Sequence, residues 1–314
     1  MKKNIKKIIL ASHYGFCMGV KRAIKIAEET GNSKSGPVNV LNEIVHNDAV
    51  VEKLSQEGVG LVSSIQKALK GTIIISAHGQ PRSTFEEAEK LGLKVVDATC
   101  PLVIRIHDII QDLIKKDYDI IHFGDLKHDE TKGVVGYAPE GRVRVMGEVE
   151  DLRNIDLSRT KVALTSQTTA RVEDFEQIGA EVKKIIPQIE VFNTICNATT
   201  QRQAAVVALA GKVDVILVVG SSSSANSKRL RSISEEICGR AYLINSARSL
   251  EPEWLDGVTD VGLTAGASTP EYLVDEVISY LQDLSGGKAQ VIRTPKKRKR
   301  RRPDERKRIS EDRI

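Results

Sequence analysis

Residues 93–110 read LKVVDATCPLVIRIHDII: an extended apolar run, a cysteine at position 100, then a helical period. Val103, Ile106, Ile110 and Leu113 recur every three or four residues, the spacing of one helix face. Pro101 stands in the first turn, where its missing N–H does no harm. The same word form returns at 6–29, KKIILASHYGFCMGVKRAIKIAEE around Cys17, and at 189–210, IEVFNTICNATTQRQAAVVALA around Cys196. After Cys17 the apolar positions Val20, Ala23, Ile24 and Ala27 follow the i, i+3, i+4, i+7 rule. The three cysteines are 83 and 96 residues apart. A cysteine at a helix N-terminus faces unpaired N–H groups and the positive end of the dipole, which favours the metal-ligating thiolate. Three such units imply three similar lobes, each bringing one thiolate to a common centre.

Working outward, strand-like runs alternate with helical periods, the pattern of parallel α/β sheets with crossover helices. Strands are expected at Lys7–Ala11, Val38–Leu41, Thr72–Ala77, Lys94–Asp97, Tyr118–Phe123, Val143–Met146, Lys161–Thr165, Val213–Val219, Ala241–Ile244 and Asp260–Thr264. Helices are expected near 18–30, 47–56, 83–91, 101–116, 171–185, 200–211, 227–238 and 270–284. Boundaries near Cys100 and Asn193 divide the chain into α/β lobes at 1–99, 100–193 and 194–285, followed by a basic tail at 286–314.

A chain of 314 residues, 28% charged and 40% hydrophobic, has room for several cores and an ordinary soluble composition. No apolar stretch approaches the roughly 20 residues that span a bilayer, so no membrane partner is expected. MKKNIKKIILASHYG places basic residues before an apolar run of only Ile8–Ala11, too short for a signal peptide. Four widely spaced cysteines argue against a disulfide scaffold, and the expected setting is the cytoplasm, with the protein a monomer. Cys238, in EEICGRA, reads as a small buried apolar residue. The net charge of +5 is concentrated in the tail, where Lys296–Arg308 carries ten basic residues against two acids. Without that +8 the body stands near −3, which is no signature of a nucleic-acid binder. The tail's composition is that of a disordered segment.

Polar residues gather just past the carboxyl ends of the expected strands, the usual place for ligands in open α/β sheets. They are His46, His78, His128, Thr168, Ser221–Ser227 and Ser268. His46 and His78 occupy strand-to-helix corners, and Gly79 lets backbone approach a ligand. His13, His107 and His122 sit on or beside apolar periodic segments and read as structural. In GDLKHDETKG, His128 and Glu130 are two residues apart, so an extended loop would face both to one side. A carboxyl in a water-poor site can act as an acid near neutral pH; a solvated charged loop is the plainer reading. GSSSSANS suits a phosphate-cradling loop or a linker, and it lacks the Walker A pattern. Three thiolates fit zinc with one open position, or a [4Fe–4S] cluster whose open iron acts as Lewis acid and passes electrons. The paired CxxC words of structural zinc sites and small ferredoxins are missing, and the residues alone leave both open, with a modest lean to the cluster.

Nine words occur in a familiar order: GFCMGVKRA, LNEIVHN, SAHG, DATCPLV, GDLKHDETKG, SQTT, CNATTQRQ, GSSSSANSKRL and TAGASTP. By them the chain, from about Lys7 to Leu284, resembles the 4-hydroxy-3-methylbut-2-enyl diphosphate reductases, which close the methylerythritol phosphate route to isoprenoids. The resemblance implies a trefoil of three small parallel-sheet α/β domains around a [4Fe–4S] cluster held by Cys17, Cys100 and Cys196. It implies an allylic diphosphate substrate held by His46, His78, Ser224, Asn226 and Ser268, with Thr199 near the cluster. It makes Glu130 the acid that lets hydroxide leave as water, relayed with Thr168 and with His128 beside it. Electrons would come from a ferredoxin- or flavodoxin-type donor, since no flavin or nicotinamide fingerprint is present.

Two positions depart from the family pattern. Ala225 stands where the phosphate loop usually carries a hydroxyl, a loss of about 0.5–1.5 kcal/mol of hydrogen bonding. Asp129 replaces a common proline and would raise the pKa of Glu130 if it pointed inward. Two other functions compete on the residues alone. One is a non-redox hydratase or dehydratase using the open iron. The other is an RNA-associated protein acting through the tail, for which aromatic stacking platforms are lacking after Tyr280; at most weak, salt-sensitive nucleic-acid binding is expected.

Overall fold

The computed structural model describes residues 2–33, 36–68, 70–155 and 161–295. β1 (Lys7–Leu10) and α1 (Met18–Asn32) come first. Next are β2 (Val38–Leu41), α2 (Asp48–Gln56), β3 (Val59–Val62), β4 (Thr72–Ile75), α3 (Arg82–Lys90) and β5 (Lys94–Asp97). The middle third holds α4 (Pro101–Lys115), β6 (Asp119–Phe123), α5 (Asp129–Val135), β7 (Val143–Met146), β8 (Val162–Ser166), α6 (Val172–Ile185) and β9 (Glu190–Val191). The last third holds α7 (Asn197–Ala210), β10 (Val215–Val219), α8 (Ala225–Cys238), β11 (Ala241–Ile244), β12 (Asp260–Ala265), α9 (Glu271–Leu284) and β13 (Gln290–Arg293).

The strands form three parallel sheets, in the orders β3-β2-β4-β5, β7-β6-β8-β9 and β11-β10-β12-β1-β13. Strands such as Thr72–Ile75 and Val215–Val219 are buried along their whole length, as expected where helices cover both faces of a parallel sheet.

Each cysteine marks a passage from one sheet to the next. β1 belongs to the third sheet, and after Cys17 the apolar face of α1 (Val20, Ala23, Ile24, Ala27) packs with Val38, Val40 and Ile74 of the first sheet. β5 is the edge of the first sheet, and after Cys100 the α4 residues Ile106, Ile110 and Leu113 pack with Ile120, Val143 and Ala163 of the second. β9 is the edge of the second sheet, and after Cys196 the α7 residues Ala205, Val206 and Leu209 pack with Ile216 and Val218 of the third. The chain therefore makes a closed circuit of three lobes, and a cysteine stands at every crossing.

This corrects two expected boundaries. Residues 1–99 are not one lobe, because β1 pairs with β12 and β13 in the third sheet. The tail does not start at 286 either: Gln290–Arg293 is a strand alongside β1. The rest of the disordered-tail expectation, 296–314, lies outside the described residues. Three short strands, β3, β9 and β13, and the seven-residue α5 were not expected from periodicity, being too short or too polar to show one. Among the described residues no helix is long and apolar enough to cross a membrane.

Ile8 is fully buried in β1, registered with Val261 on one side and Val291 on the other. Ile8→Ala should cost about 2–5 kcal/mol of stability by urea unfolding. Hydrogen exchange should show lost protection in β10 and β12, with β2 and β4 unaffected. Deprotection of β2 and β4 instead would mean that β1 belongs to the first lobe.

Candidate active site

The carboxyl ends of the three sheets face a single cavity. Its walls include Cys17, Cys100, Cys196, Glu130, His46, His78, His128, Thr168, Ser224, Asn226 and Ser268, all the site residues expected from the sequence. His13, His107 and His122 do not line it. His107 is buried and stacks on Tyr137 at 4.0 Å, and His122 Nδ1 lies 2.9 Å from Thr165 Oγ1, both structural arrangements. Cys238 is likewise remote, donating to the Val213 carbonyl at 3.3 Å beside a hydrophobic cluster.

Each of the three cysteines is the N-cap of its helix. Cys17 Sγ accepts from Val20 N at 3.4 Å and Cys196 Sγ accepts from Thr199 N at 3.2 Å, with Thr199 Oγ1 at 3.0 Å. A side chain at Gly19 would clash: its Cβ would sit 2.5 Å from Cys100 Sγ and 4.0 Å from Cys17 Sγ. The helix N–H groups do favour thiolate, as expected, but burial dominates. Burial pushes the Cys100 and Cys196 thiols up, opposed by hydrogen bonds at the helix starts, and the negative charge of Cys17 adds to the rise. Thiols that resist ionising in each other's company suit a cationic guest, which ionises coordinating thiols outright.

Glu130 is 2% exposed, and its carboxyl accepts from Thr168 N and Thr168 Oγ1, both at 2.6 Å. Burial raises its pKa to about 7 against those two hydrogen bonds. The segment around it is not the extended loop expected. His128 caps α5, and its Nδ1 accepts from Glu130 N at 3.2 Å. Asp129 points away from the acid, accepting from Asn42 Nδ2 of the first lobe at 3.1 Å and pairing with Lys132 at 3.1 Å. It does not figure among the causes of the Glu130 shift.

Opposite the sulfurs, His46 and His78 stack at 4.2 Å, and His128 meets each of them edge-on at 5.3 Å. Burial holds His78 well below the usual imidazole range and His128 at about 4, with the neighbouring imidazoles adding to both. Near neutral pH these two rings are therefore neutral. Ring nitrogens of all three lie within 4.8 Å of one another. Stacked rings hold their in-plane nitrogens side by side instead of aiming them at one point, so they suit several oxygens of one anion better than a single metal ion.

Further polar groups complete this wall. His78 Nε2 and both amide atoms of Asn226 are buried without a partner. Buried polar atoms are rarely left so unless a ligand completes them. Ser224 caps α8, accepting from Ser227 N at 3.3 Å with its own proton uncommitted, and Ala225 opens the helix beside it. Ser268 Oγ donates to the His46 carbonyl at 2.9 Å, tying the third lobe to the first.

Three contributors escaped sequence reading. Glu43 Oε2 lies 2.9 Å from His46 Nδ1 and orients that ring. Gly19 leaves room beside two sulfurs. Arg202 is buried on α7 behind the cysteines. A signal existed for Arg202, the single charge in CNATTQRQAAVVALA.

Residues 8–282 match the family model described as LytB protein. A 4-hydroxy-3-methylbut-2-enyl diphosphate reductase of Aquifex aeolicus is 39% identical over 282 residues, 89% of this chain and 97% of that one. One of Campylobacter hominis is 40% identical over 280 residues, 88% of this chain and 99% of that one. Among solved structures, the E-1-hydroxy-2-methyl-but-2-enyl-4-diphosphate reductase of Plasmodium falciparum is 33% identical and superposes with a TM-score of 0.88, covering 98% of this chain and 99% of that one. A second, an (E)-4-hydroxy-3-methyl-but-2-enyl diphosphate reductase described as the terminal enzyme of the non-mevalonate pathway, is 38% identical with a TM-score of 0.64, over 89% and 100% of the two chains.

The carboxyl of Glu130 should titrate near pH 7 by difference infrared spectroscopy. Because its folded pKa is raised, its contribution to stability is fully present below about pH 4.5 and is lost as pH rises through about 7. Relative to Glu130→Gln, the metal-free parent should lose on the order of 3 kcal/mol across that window. Parallel stability curves for the two proteins would refute the raised value.

Proposed function

The chain belongs to the LytB protein family, and on that premise we propose that it reduces (E)-4-hydroxy-3-methylbut-2-enyl diphosphate to isopentenyl and dimethylallyl diphosphates. The observation that carries this reading is one cavity lined on one side by three cysteine sulfurs, on another by histidines and unpartnered amide atoms, with a buried carboxyl of raised pKa between. Cys17, Cys100 and Cys196 would hold a [4Fe–4S] cluster. Three sulfur donors on three helix N-termini, with a glycine keeping space beside two of them, fit that group. When bound, the cluster supplies an open iron as Lewis acid and a route for electrons.

The protein's own groups supply the rest. The diphosphate is held by His46, His78, His128, Ser224, Asn226 and Ser268. With Nδ1 of His128 accepting from Glu130 N, its proton sits on Nε2 and can be donated. His46 differs: its Nδ1 donates to the Glu43 carboxylate, which fixes the orientation of the ring. Ser224 donates directly, and Ser268 turns its proton from the His46 carbonyl to the anion.

The reaction consumes two electrons and two protons: the carbon–oxygen bond breaks, a carbon–hydrogen bond forms, and oxygen leaves as water. Hydroxide is a poor leaving group, so a proton must reach it. Burial lifts the pKa of Glu130 to about 7, so its acid form is available at neutral pH, and Thr168 Oγ1, 2.6 Å from its carboxyl, passes the proton on. Electrons come from an external donor of ferredoxin or flavodoxin type.

Protein purified without oxygen should be brown, with about four irons and four sulfides per chain, and should turn over only when a reductant is supplied. A colourless protein holding one zinc after iron and sulfide were offered would end this reading; full-rate turnover without reductant would make it a dehydratase. Glu130→Gln should keep the cluster and bind substrate, while turnover falls about 10²–10⁴-fold. Cys100→Ser should lose colour and activity together. Turnover of Glu130→Gln within about threefold of the parent would pass the acid's role to His128 or the diphosphate.

A further inference from the structure

Arg202 lies on α7 six residues after Cys196 and is 5% exposed. Its guanidinium turns back toward the cysteines. Nη1 donates to the Ala198 carbonyl at 2.8 Å, and Nη2 donates to the carbonyl of Gly15. Those carbonyls stand two residues after Cys196 and two before Cys17, so one fork spans the chain beside two of the three sulfurs. Nε is buried and donates to nothing. The opposite charges bearing on the group are the sulfurs of Cys17 and Cys196, not a carboxylate. A buried cation is costly unless something negative answers it. Arg202 does not line the cavity, so neither the diphosphate nor the leaving oxygen can be that partner.

We propose that Arg202 is a positioning residue whose fixed positive charge raises the reduction potential of the cluster held by Cys17, Cys100 and Cys196. The proposal rests on the iron–sulfur reading above. An added electron makes a thiolate-ligated cluster more negative, and a cation fixed in a low-dielectric wall favours that state. Arg22 provides the internal contrast: its Nη1 donates to Thr99 O, beside Cys100, at 3.0 Å, but the side chain is exposed and water screens its charge.

The test is a redox titration of the anaerobically purified full chain, followed by visible absorbance and electron paramagnetic resonance. Arg202→Met should lower the equilibrium constant for reduction at least tenfold, about 59 mV for a one-electron couple. Arg202→Lys, which keeps the charge but not the fork, should stay within threefold of the parent, as should Arg22→Gln. If the methionine variant does not retain iron, Arg202→Gln, neutral but still a donor, is read in its place. A neutral variant within threefold of the parent overturns the proposal. So does a lysine variant that falls as far as the neutral one, because the fork and not the charge would then matter. Loss of the cluster from the lysine variant assigns Arg202 a purely structural role and overturns it too. A parent that binds no iron defeats the cluster reading itself, before Arg202 is at issue.

Discussion

The rest of the structure depends on where the chain crosses between lobes. Three times a strand ends one sheet's contribution, a cysteine follows as N-cap, and the next helix packs on a different sheet. The cap geometry sets each sulfur at the start of its helix, while the apolar faces of α1, α4 and α7 lock that helix onto the neighbouring lobe. Sulfur convergence is therefore a consequence of core packing, which has many contacts to define it. Side chains borne on mobile loops could not be held so closely.

The same crossings explain the electrostatics. A junction of the carboxyl ends of three sheets buries polar backbone and side chains that must find partners among themselves or in a guest. Some do: Thr168 answers Glu130 twice, and Gln203 bridges Ala170 O and Val172 N between the second and third lobes. Others, at His78 and Asn226, are left open toward the cavity. Exclusion of water then does two jobs at once. It raises the pKa of Glu130 to about 7 and keeps His78 and His128 neutral, so an acid and uncharged rings coexist in one cavity.

Much of this was legible in the sequence because it depends on local grammar. Strand, cysteine and helical period are adjacent in the chain, and the polar residues follow strand ends by rule. The boundaries at 100 and 194 fall on crossings for the same reason. What failed was the first crossing. Applied at Cys17, the same rule would have sent Lys7–Leu10 to a lobe whose other strands lie beyond residue 210, but periodicity carries no information about partners so distant. α5 escaped because a seven-residue helix built from DETKGVV has hardly two turns in which to show a period. Arg202 and Glu43 act through contacts with particular atoms, which spacing does not encode.

β1 lies between β12 and β13, so the strand made first is held by neighbours made last: Lys7 pairs with Asp260 and with Gln290. During synthesis the first and second sheets can assemble as they emerge, whereas the third must wait for nearly the entire chain. Cys17 sits just after that waiting strand: α1 can place it against the first lobe early, but its N–H bond to the Ala267 carbonyl forms only when the third lobe docks. The first of the three sulfurs to be translated is thus the one whose surroundings are completed last, once the strands at 260–265 and 290–293 have been made.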